Sequence, residues 1–188
     1  MSDTAKAAAW SRASGSAAAL VGGLSASGSA FLVAAGSAAI VAAAHFFQYV
    51  LLIAPCPLCL EQRKFHYVAI PLALATGLAA LKGAPNRLVA AGLALAAVVL
   101  FAGAVLAAYH SGVEWKLWAG PADCTGPIAS FGQAGSLLEQ MQTTSVVRCD
   151  EASWRFLGLS LAGYNGLVSL ALAALAGRAA FVEARRRR

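Results

Sequence analysis

Charged side chains are scarce in this sequence. Asp, Glu, Lys and Arg together make up only 12% of the 188 residues, whereas 60% are hydrophobic and the mean hydropathy is +0.70. Soluble domains carry about 25% charged residues, so this composition excludes an ordinary soluble domain and predicts a membrane protein. A chain of this length forms a single domain and leaves no room for a separate soluble module.

A basic surface beside aromatic residues is also lacking, although the net charge is +6. The basic residues instead lie at the ends of apolar segments, and four of them form the terminal run 185–188. Charges in such places are typical of membrane-topology signals rather than of phosphate contacts. We therefore expect a lipid bilayer around the protein and no nucleic-acid binding.

Four apolar segments are candidates for membrane spans. The first carries no formal charge and exceeds the roughly 20 residues that cross a bilayer. The second is short and contains Pro71, where we expect a kink. The predicted spans are about 29–53, 65–81, 88–109 and 156–177. The sequence therefore predicts an all-α membrane protein, a four-transmembrane-helix bundle.

The chain divides into an N-terminal tail, the membrane domain and a C-terminal tail. Residues 1–28 are rich in Ala, Ser and Gly and are predicted to be a flexible N-terminal tail. The membrane domain then covers 29–177, and a basic C-terminal tail covers 178–188. His45 and Gln48 are polar exceptions in the first span. We expect them to lie at the membrane interface or to hydrogen-bond between helices, with ligand contact as the alternative.

Four spans place both termini on one side of the membrane. Lys82, Arg87 and the C-terminal arginines lie on that side, which the positive-inside rule assigns to the cytoplasm. The two loops on the other side carry all four cysteines, so these face an oxidising compartment in which disulfides persist. The second loop is long, and Leu137, Leu138 and Met141 predict a short helix that lies on the membrane surface.

The first external loop contains a Cys-x-x-Cys pair followed by an arginine. If Pro57 opens the next helix, Cys56 caps that helix and Cys59 lies in its first turn. The positive end of the helix dipole would then favour thiolate at both sulfurs. Arg63 would share a helix face with Cys59, because residues four apart are neighbours. Zinc binding or simple packing are the alternatives for such a pair.

The second external loop contributes Cys124 and Cys149. A structural zinc site usually repeats its short ligand spacing, and this chain does not, so we expect no metal. Two cysteine pairs on one face of a membrane bundle instead suggest relayed thiol–disulfide exchange. A purely structural disulfide between the two loop cysteines is the alternative.

Four stretches carry a resemblance to a known family. Residues 55–63, Pro-Cys-Pro-Leu-Cys-Leu-Glu-Gln-Arg, resemble the first external loop of the disulfide bond formation protein B (DsbB) family. Residues 109–115, 120–126 and 156–165 resemble, in the same order, that family's third-span exit, its second loop and the entry to its fourth span.

The resemblance implies a quinone-linked thiol oxidase of the bacterial inner membrane, with its cysteine loops in the periplasm. Its partner would be a periplasmic dithiol oxidase similar to DsbA, and its cofactor ubiquinone or menaquinone. It implies that Cys124 exchanges with the partner and that Cys149 resolves toward Cys56. Cys59 would then face the quinone ring as a thiolate.

Two further residues take roles from the same resemblance. Arg63 matches the family's quinone-site arginine, and a guanidinium suits a hydrogen bond to a quinone oxygen. His110 matches a position beside the quinone, with an interfacial histidine as the alternative.

There are two rival functions. Enzymes of the vitamin K epoxide reductase type also couple Cys-x-x-Cys to a quinone, but their quinone-facing pair comes late in the chain. A non-enzymatic membrane scaffold with two stabilising disulfides is the second rival, and it predicts that loss of Cys59 lowers only stability.

Overall fold

The computed structural model describes residues 24–121 and 148–186. These ranges contain four long helices, each long and apolar enough to cross a membrane. They are α1 Ala26–Tyr49, α2 Pro57–Leu81, α3 Asn86–Glu114 and α4 Leu161–Arg185. The predicted all-α, four-span architecture is therefore confirmed.

The second helix is longer than predicted. We expected a short span beginning near Phe65, but α2 begins at Pro57 and has 25 residues. Proline is suited to the first helical position, because its fixed φ matches the helix and its missing N–H would have no partner there. The motif residues after Pro57 therefore lie on a helix rather than in a loop. Pro71 lies inside α2.

The third and fourth spans also differ from their predicted ends. Helix α3 continues past Tyr109 to Glu114, so His110 is helical. Helix α4 begins five residues later than predicted, because a two-stranded hairpin, β1 Arg155–Phe156 and β2 Leu159–Ser160, precedes it. The two residues between these strands both have positive φ, as a tight hairpin turn of type I′ requires.

The four helices pack in a ring. Helix α3 packs along α4, and α1 packs along α2, with further contacts between α2 and α3 and between α1 and α4. The core is made mostly of small side chains, which let the helix backbones approach each other closely. At Gly103, an added Cβ would lie 3.0 Å from Phe65 Cβ. The buried centre includes Val33, Ala69, Ala73, Leu100 and Ala176.

The chain reverses direction between successive helices, so the ends of the bundle differ in composition. The start of α2, the end of α3 and the start of α4 lie at one end, together with Cys56, Cys59 and Cys149. The 82–85 turn, Arg185 and Arg186 lie at the other. Large apolar side chains such as Leu95, Phe101 and Phe181 are exposed on the outer surface, as expected for a multi-pass membrane protein.

Several predictions concern segments outside the described residues. They include most of the N-terminal tail, Cys124, and the surface helix predicted from Leu137, Leu138 and Met141.

Candidate functional site

The start of α2 positions the first cysteine pair. Cys56 is the N-cap residue, with extended backbone angles, and its sulfur accepts a hydrogen bond from the Cys59 backbone N–H at 3.3 Å. Pro57 follows as the first helical residue. The predicted capping role of Cys56 is confirmed, and it places the two sulfurs at the same helix terminus.

Both cysteines of this pair are free thiols, and their Sγ atoms are 3.2 Å apart. A hydrogen bond from the Cys59 thiol is the main reason why the pKa of Cys56 is lowered to about 4. Burial acts in the opposite direction, while the His110 hydrogen bond and charge lower the pKa further. In the dithiol state, Cys56 is therefore the stabilised thiolate.

His110 lies on the Cys56 side of the pair. Its ring is buried, and its Nε2 is 3.6 Å from Cys56 Sγ and 3.8 Å from Glu114 Oε1. The His110 ring is also hydrogen-bonded to the backbone of Cys149. We expected this histidine beside the quinone, and the described geometry places it among the cysteines and a carboxylate.

Cys149 approaches the same place from the second loop. It is fully buried, is disulfide-bonded, and packs with Cys56 and Leu58 in one apolar cluster. The next residue, Asp150, accepts hydrogen bonds from Lys116 Nζ at 2.5 Å and from Arg148 Nη2 at 2.9 Å. These two cations lower the pKa of the Asp150 carboxyl, and the Lys116 bond ties the Cys149 segment to the end of α3.

A cavity of about 330 Å³ opens on the Cys59 side, between α1, α2 and the start of α4. Its walls are largely apolar and include Ile40, Phe47 and Trp154. Cys59 and Arg63 both line it, as their shared helix face predicted, whereas Cys56 and His110 do not. The two sulfurs therefore face different surroundings.

Arg63 is buried, with 8% of its surface exposed. Its Nη1 donates to Gln48 Oε1 at 2.5 Å, and its Nη2 donates to the Ala44 carbonyl at 3.4 Å. The first bond confirms the expected interhelical role of Gln48, and His45 likewise lies 3.1 Å from the Tyr67 hydroxyl. Both of these Arg63 partners are neutral oxygens of α1, and no ion pair joins Arg63 to a carboxylate in the described ranges.

A chain of buried polar side chains connects the cavity with His110, and its central members were not predicted. Asn165 donates to Gln62 Oε1 at 2.7 Å, and Gln62 Nε2 lies 2.7 Å from His110 Nδ1. Asn165 Oδ1 lies 2.9 Å from His66 Nε2, which is also 3.2 Å from Ser169 Oγ. Polar residues inside apolar spans are the signal that identifies such positions.

A second cavity of about 40 Å³ adjoins Cys56, Cys59, His110 and Glu114. The ligand atoms of the first three of these residues lie within 4.8 Å of one another. A soft metal ion could be held by such a group, because thiolate and imidazole are its preferred ligands. The absence of a metal from the working protein stays a prediction.

Comparison with known proteins agrees with this arrangement. The family described as "Disulfide bond formation protein DsbB" matches residues 26–179. Disulfide bond formation protein B of Verminephrobacter eiseniae is 32% identical over 141 residues, which cover 71% of this chain and 76% of that protein. The protein of the same name from a Polaromonas species is 28% identical over 131 residues, or 68% of this chain and 74% of that protein. No solved structure matches the chain. This chain therefore belongs to the DsbB family of disulfide bond formation proteins.

Proposed function

We propose that this membrane protein is a thiol:quinone oxidoreductase that re-oxidises a periplasmic DsbA-like dithiol protein. Electrons pass from the pair Cys124 and Cys149 through Cys56 and Cys59 to ubiquinone or menaquinone. The protein lies in the bacterial inner membrane, with both cysteine loops in the periplasm and both termini in the cytoplasm.

One observation carries this proposal. Cys59 and Arg63 line an apolar cavity that Cys56 does not line, while Cys56 belongs to the same buried apolar cluster as Cys149. One sulfur of the pair is thus next to the second-loop cysteine, and the other is next to a space suited to a lipid-soluble acceptor. A structural disulfide has no need of such a division.

The cysteine chemistry follows from thiol–disulfide exchange. A partner thiolate attacks Cys124 of the Cys124–Cys149 disulfide, forms a mixed disulfide and releases Cys149 as a thiolate. Cys149 then attacks Cys56 of the Cys56–Cys59 disulfide and releases Cys59 as a thiolate. The second partner thiolate displaces Cys124, which leaves the partner oxidised.

Return of Cys124 to Cys149 completes the relay. Cys124 attacks Cys149 in the Cys56–Cys149 disulfide, so that Cys56 leaves as a thiolate. A thiol with a lower pKa leaves faster. Once the released Cys59 thiolate has taken up a proton, its hydrogen bond to Cys56 lowers the pKa of Cys56 to about 4 and favours this step. The result is a Cys56–Cys59 dithiol beside an oxidised Cys149, which is the combination of redox states described above.

The residues of the cavity fit a quinone ring. Its volume of about 330 Å³ lies in the range of small-molecule sites, about 300–1,000 Å³. Phe47 and Trp154 offer apolar surface to the ring, and the Arg63 guanidinium can donate to a ring oxygen. A bound quinone would supply the capacity to accept two electrons and two protons.

Burial of Arg63 also supports a functional role. A buried cation without a paired carboxylate costs stability, so such residues inside membrane spans mark functional sites. The neutral oxygens of Gln48 and Ala44 orient the guanidinium without neutralising it. Its charge therefore remains available to an electron-accepting ligand.

The decisive experiment uses Cys59→Ser in purified protein. Reduced DsbA-like partner and a short-tailed quinone are added, and quinone loss is followed by absorbance. We expect the variant to stay folded in detergent but to lose quinone reduction completely, because the thiol beside the cavity is gone. Normal quinone reduction by a folded Cys59→Ser protein would refute the proposal, and the scaffold alternative predicts no quinone loss even with the wild type.

A further inference from the structure

The most buried polar side chain that lines the cavity has no role in the relay described above. His66 lies on α2 and lines the cavity together with Cys59 and Arg63. Only 1% of its surface is exposed. Its Nε2 is within hydrogen-bonding distance of Asn165 and Ser169, while its Nδ1 is buried and has no hydrogen-bond partner among the described residues.

An unpartnered buried ring nitrogen needs an explanation, because burying a polar atom without a hydrogen bond is unfavourable. We propose that His66 Nδ1 hydrogen-bonds the second oxygen of the quinone ring, so that Arg63 and His66 together hold both oxygens. This inference rests on the proposed function, since it assumes that a quinone binds in this cavity.

The positions along α2 suit this arrangement. Cys59, Arg63 and His66 follow one another at spacings of four and three residues, so they form one stripe on the helix. The stripe is roughly 10 Å long at 1.5 Å per residue. Arg63 and His66 are about one helical turn apart, which is comparable with the separation of two oxygens across a six-membered ring.

Histidine also suits a ligand that changes its hydrogen-bonding character. A quinone oxygen accepts hydrogen bonds, so Nδ1 must carry the proton, and Nε2 then accepts from the Ser169 hydroxyl. A quinol hydroxyl can donate, so Nδ1 can be bare, and Nε2 then donates to Asn165 Oδ1. Arg63 can only donate. His66 is therefore the residue in this stripe that serves both forms of the ligand.

The alternative is that His66 merely links α2 to α4. Binding calorimetry on the full-length protein in detergent, without any partner protein, separates the two roles. The ligands are a short-tailed 1,4-benzoquinone, its quinol, and the corresponding phenol, which lacks one ring oxygen. The variants are His66→Leu and His66→Gln. His45→Leu is the matched control, because His45 bonds Tyr67 between helices and does not line the cavity.

We expect His66→Leu to weaken quinone and quinol binding about five- to tenfold, as the loss of one hydrogen bond implies. Phenol binding should change less than about twofold, because its single oxygen can remain at Arg63. His66→Gln should retain part of the affinity, and His45→Leu should bind all three ligands like the wild type. Unchanged quinone affinity in folded His66→Leu overturns the inference.

A comparison within the wild type covers the case in which His66→Leu does not fold. Wild-type protein should bind the quinol about fivefold more tightly than the phenol, and equal affinities would contradict a second oxygen contact. Failure of the wild type to bind any quinone would refute the proposed function itself. Quinone binding that is insensitive to His66 would refute only the further inference.

Discussion

Cys56 and Cys59 are three residues apart, yet they have different surroundings. Cys56 is 4% exposed, caps α2, lies 3.6 Å from His110 Nε2 and shares a buried apolar cluster with Cys149. Cys59 packs against that cluster too, but it lies in the first turn and also lines the large apolar cavity. The difference arises because one residue precedes the helix and the other belongs to it. A short motif at a helix start can therefore serve two neighbours with different chemistry.

Removing Cys149 should have the largest effect on this comparison. We expect Cys149→Ser to abolish turnover, because no thiol then carries electrons to Cys56. With oxidised partner, the Cys124 thiolate should attack the partner's disulfide and hold the partner as a mixed disulfide. Non-reducing gel electrophoresis and peptide mapping identify the bond. A partner attached through Cys56 would show that the relay order is wrong.

Removing the cation beside Cys59 should have the next largest effect. We expect Arg63→Ala to raise the quinone KM about 10- to 100-fold, the value of a hydrogen bond to a charged group. Exchange at Cys124 should be nearly unaffected, because Arg63 is on the cavity side. Arg87→Ala, an exposed arginine at the opposite end of the bundle, is the control. An unchanged KM in Arg63→Ala would count against its assignment.

The surroundings of Cys56 can be tested by titrating its thiol. The pKa of Cys56 is lowered to about 4 in the folded protein, so its thiolate is present at neutral pH and is lost as the pH falls through about 4. We expect His110→Leu to raise this midpoint by about one pH unit, with little change in quinone affinity. Thiolate absorbance near the ultraviolet edge, with Cys56→Ser as the blank, measures the midpoint. A large loss of quinone affinity would support the prediction that His110 lies beside the quinone.

The ion pairs around Asp150 should matter least. Because both cations that pair with this carboxylate are exposed, we expect Asp150→Asn to slow transfer from Cys149 to Cys56 by about twofold at most, with an effect that shrinks in high salt. Rapid-quench measurement of the mixed disulfide checks this. A loss as large as that of Cys149→Ser would show that the segment depends on the ion pairs for its position.

The parts of the fold that could be predicted are those that local sequence determines. Span number follows from hydropathy, and the Cys56 cap follows from Pro57 at the first helical position. The predicted start of the fourth span is too early, because Phe156 and Leu157 look like part of an apolar span. In the structure they enter a hairpin, since Leu157 and Gly158 both take positive φ.

The polar chain could not be predicted from local sequence. Gln62 and Asn165 are about a hundred residues apart, and their contact depends on how α2 and α4 are rotated about their axes. These helices are rich in Ala, Leu and Gly on every side, so the sequence pattern does not specify which face is buried. Polar residues inside the spans mark candidate members of such a chain. Which of them contact each other is determined by how the helices pack.

The cap at Cys56 has an electrochemical consequence. The sulfur that accepts the Cys59 backbone N–H is the same sulfur that forms and breaks disulfides, so every change of its bonding perturbs the first turn of α2. A side-chain cap contributes about 1 kcal/mol to a helix. For a two-electron couple this equals roughly 20 mV of reduction potential. The stability of the first turn of α2 therefore contributes to the reduction potential of the Cys56–Cys59 pair.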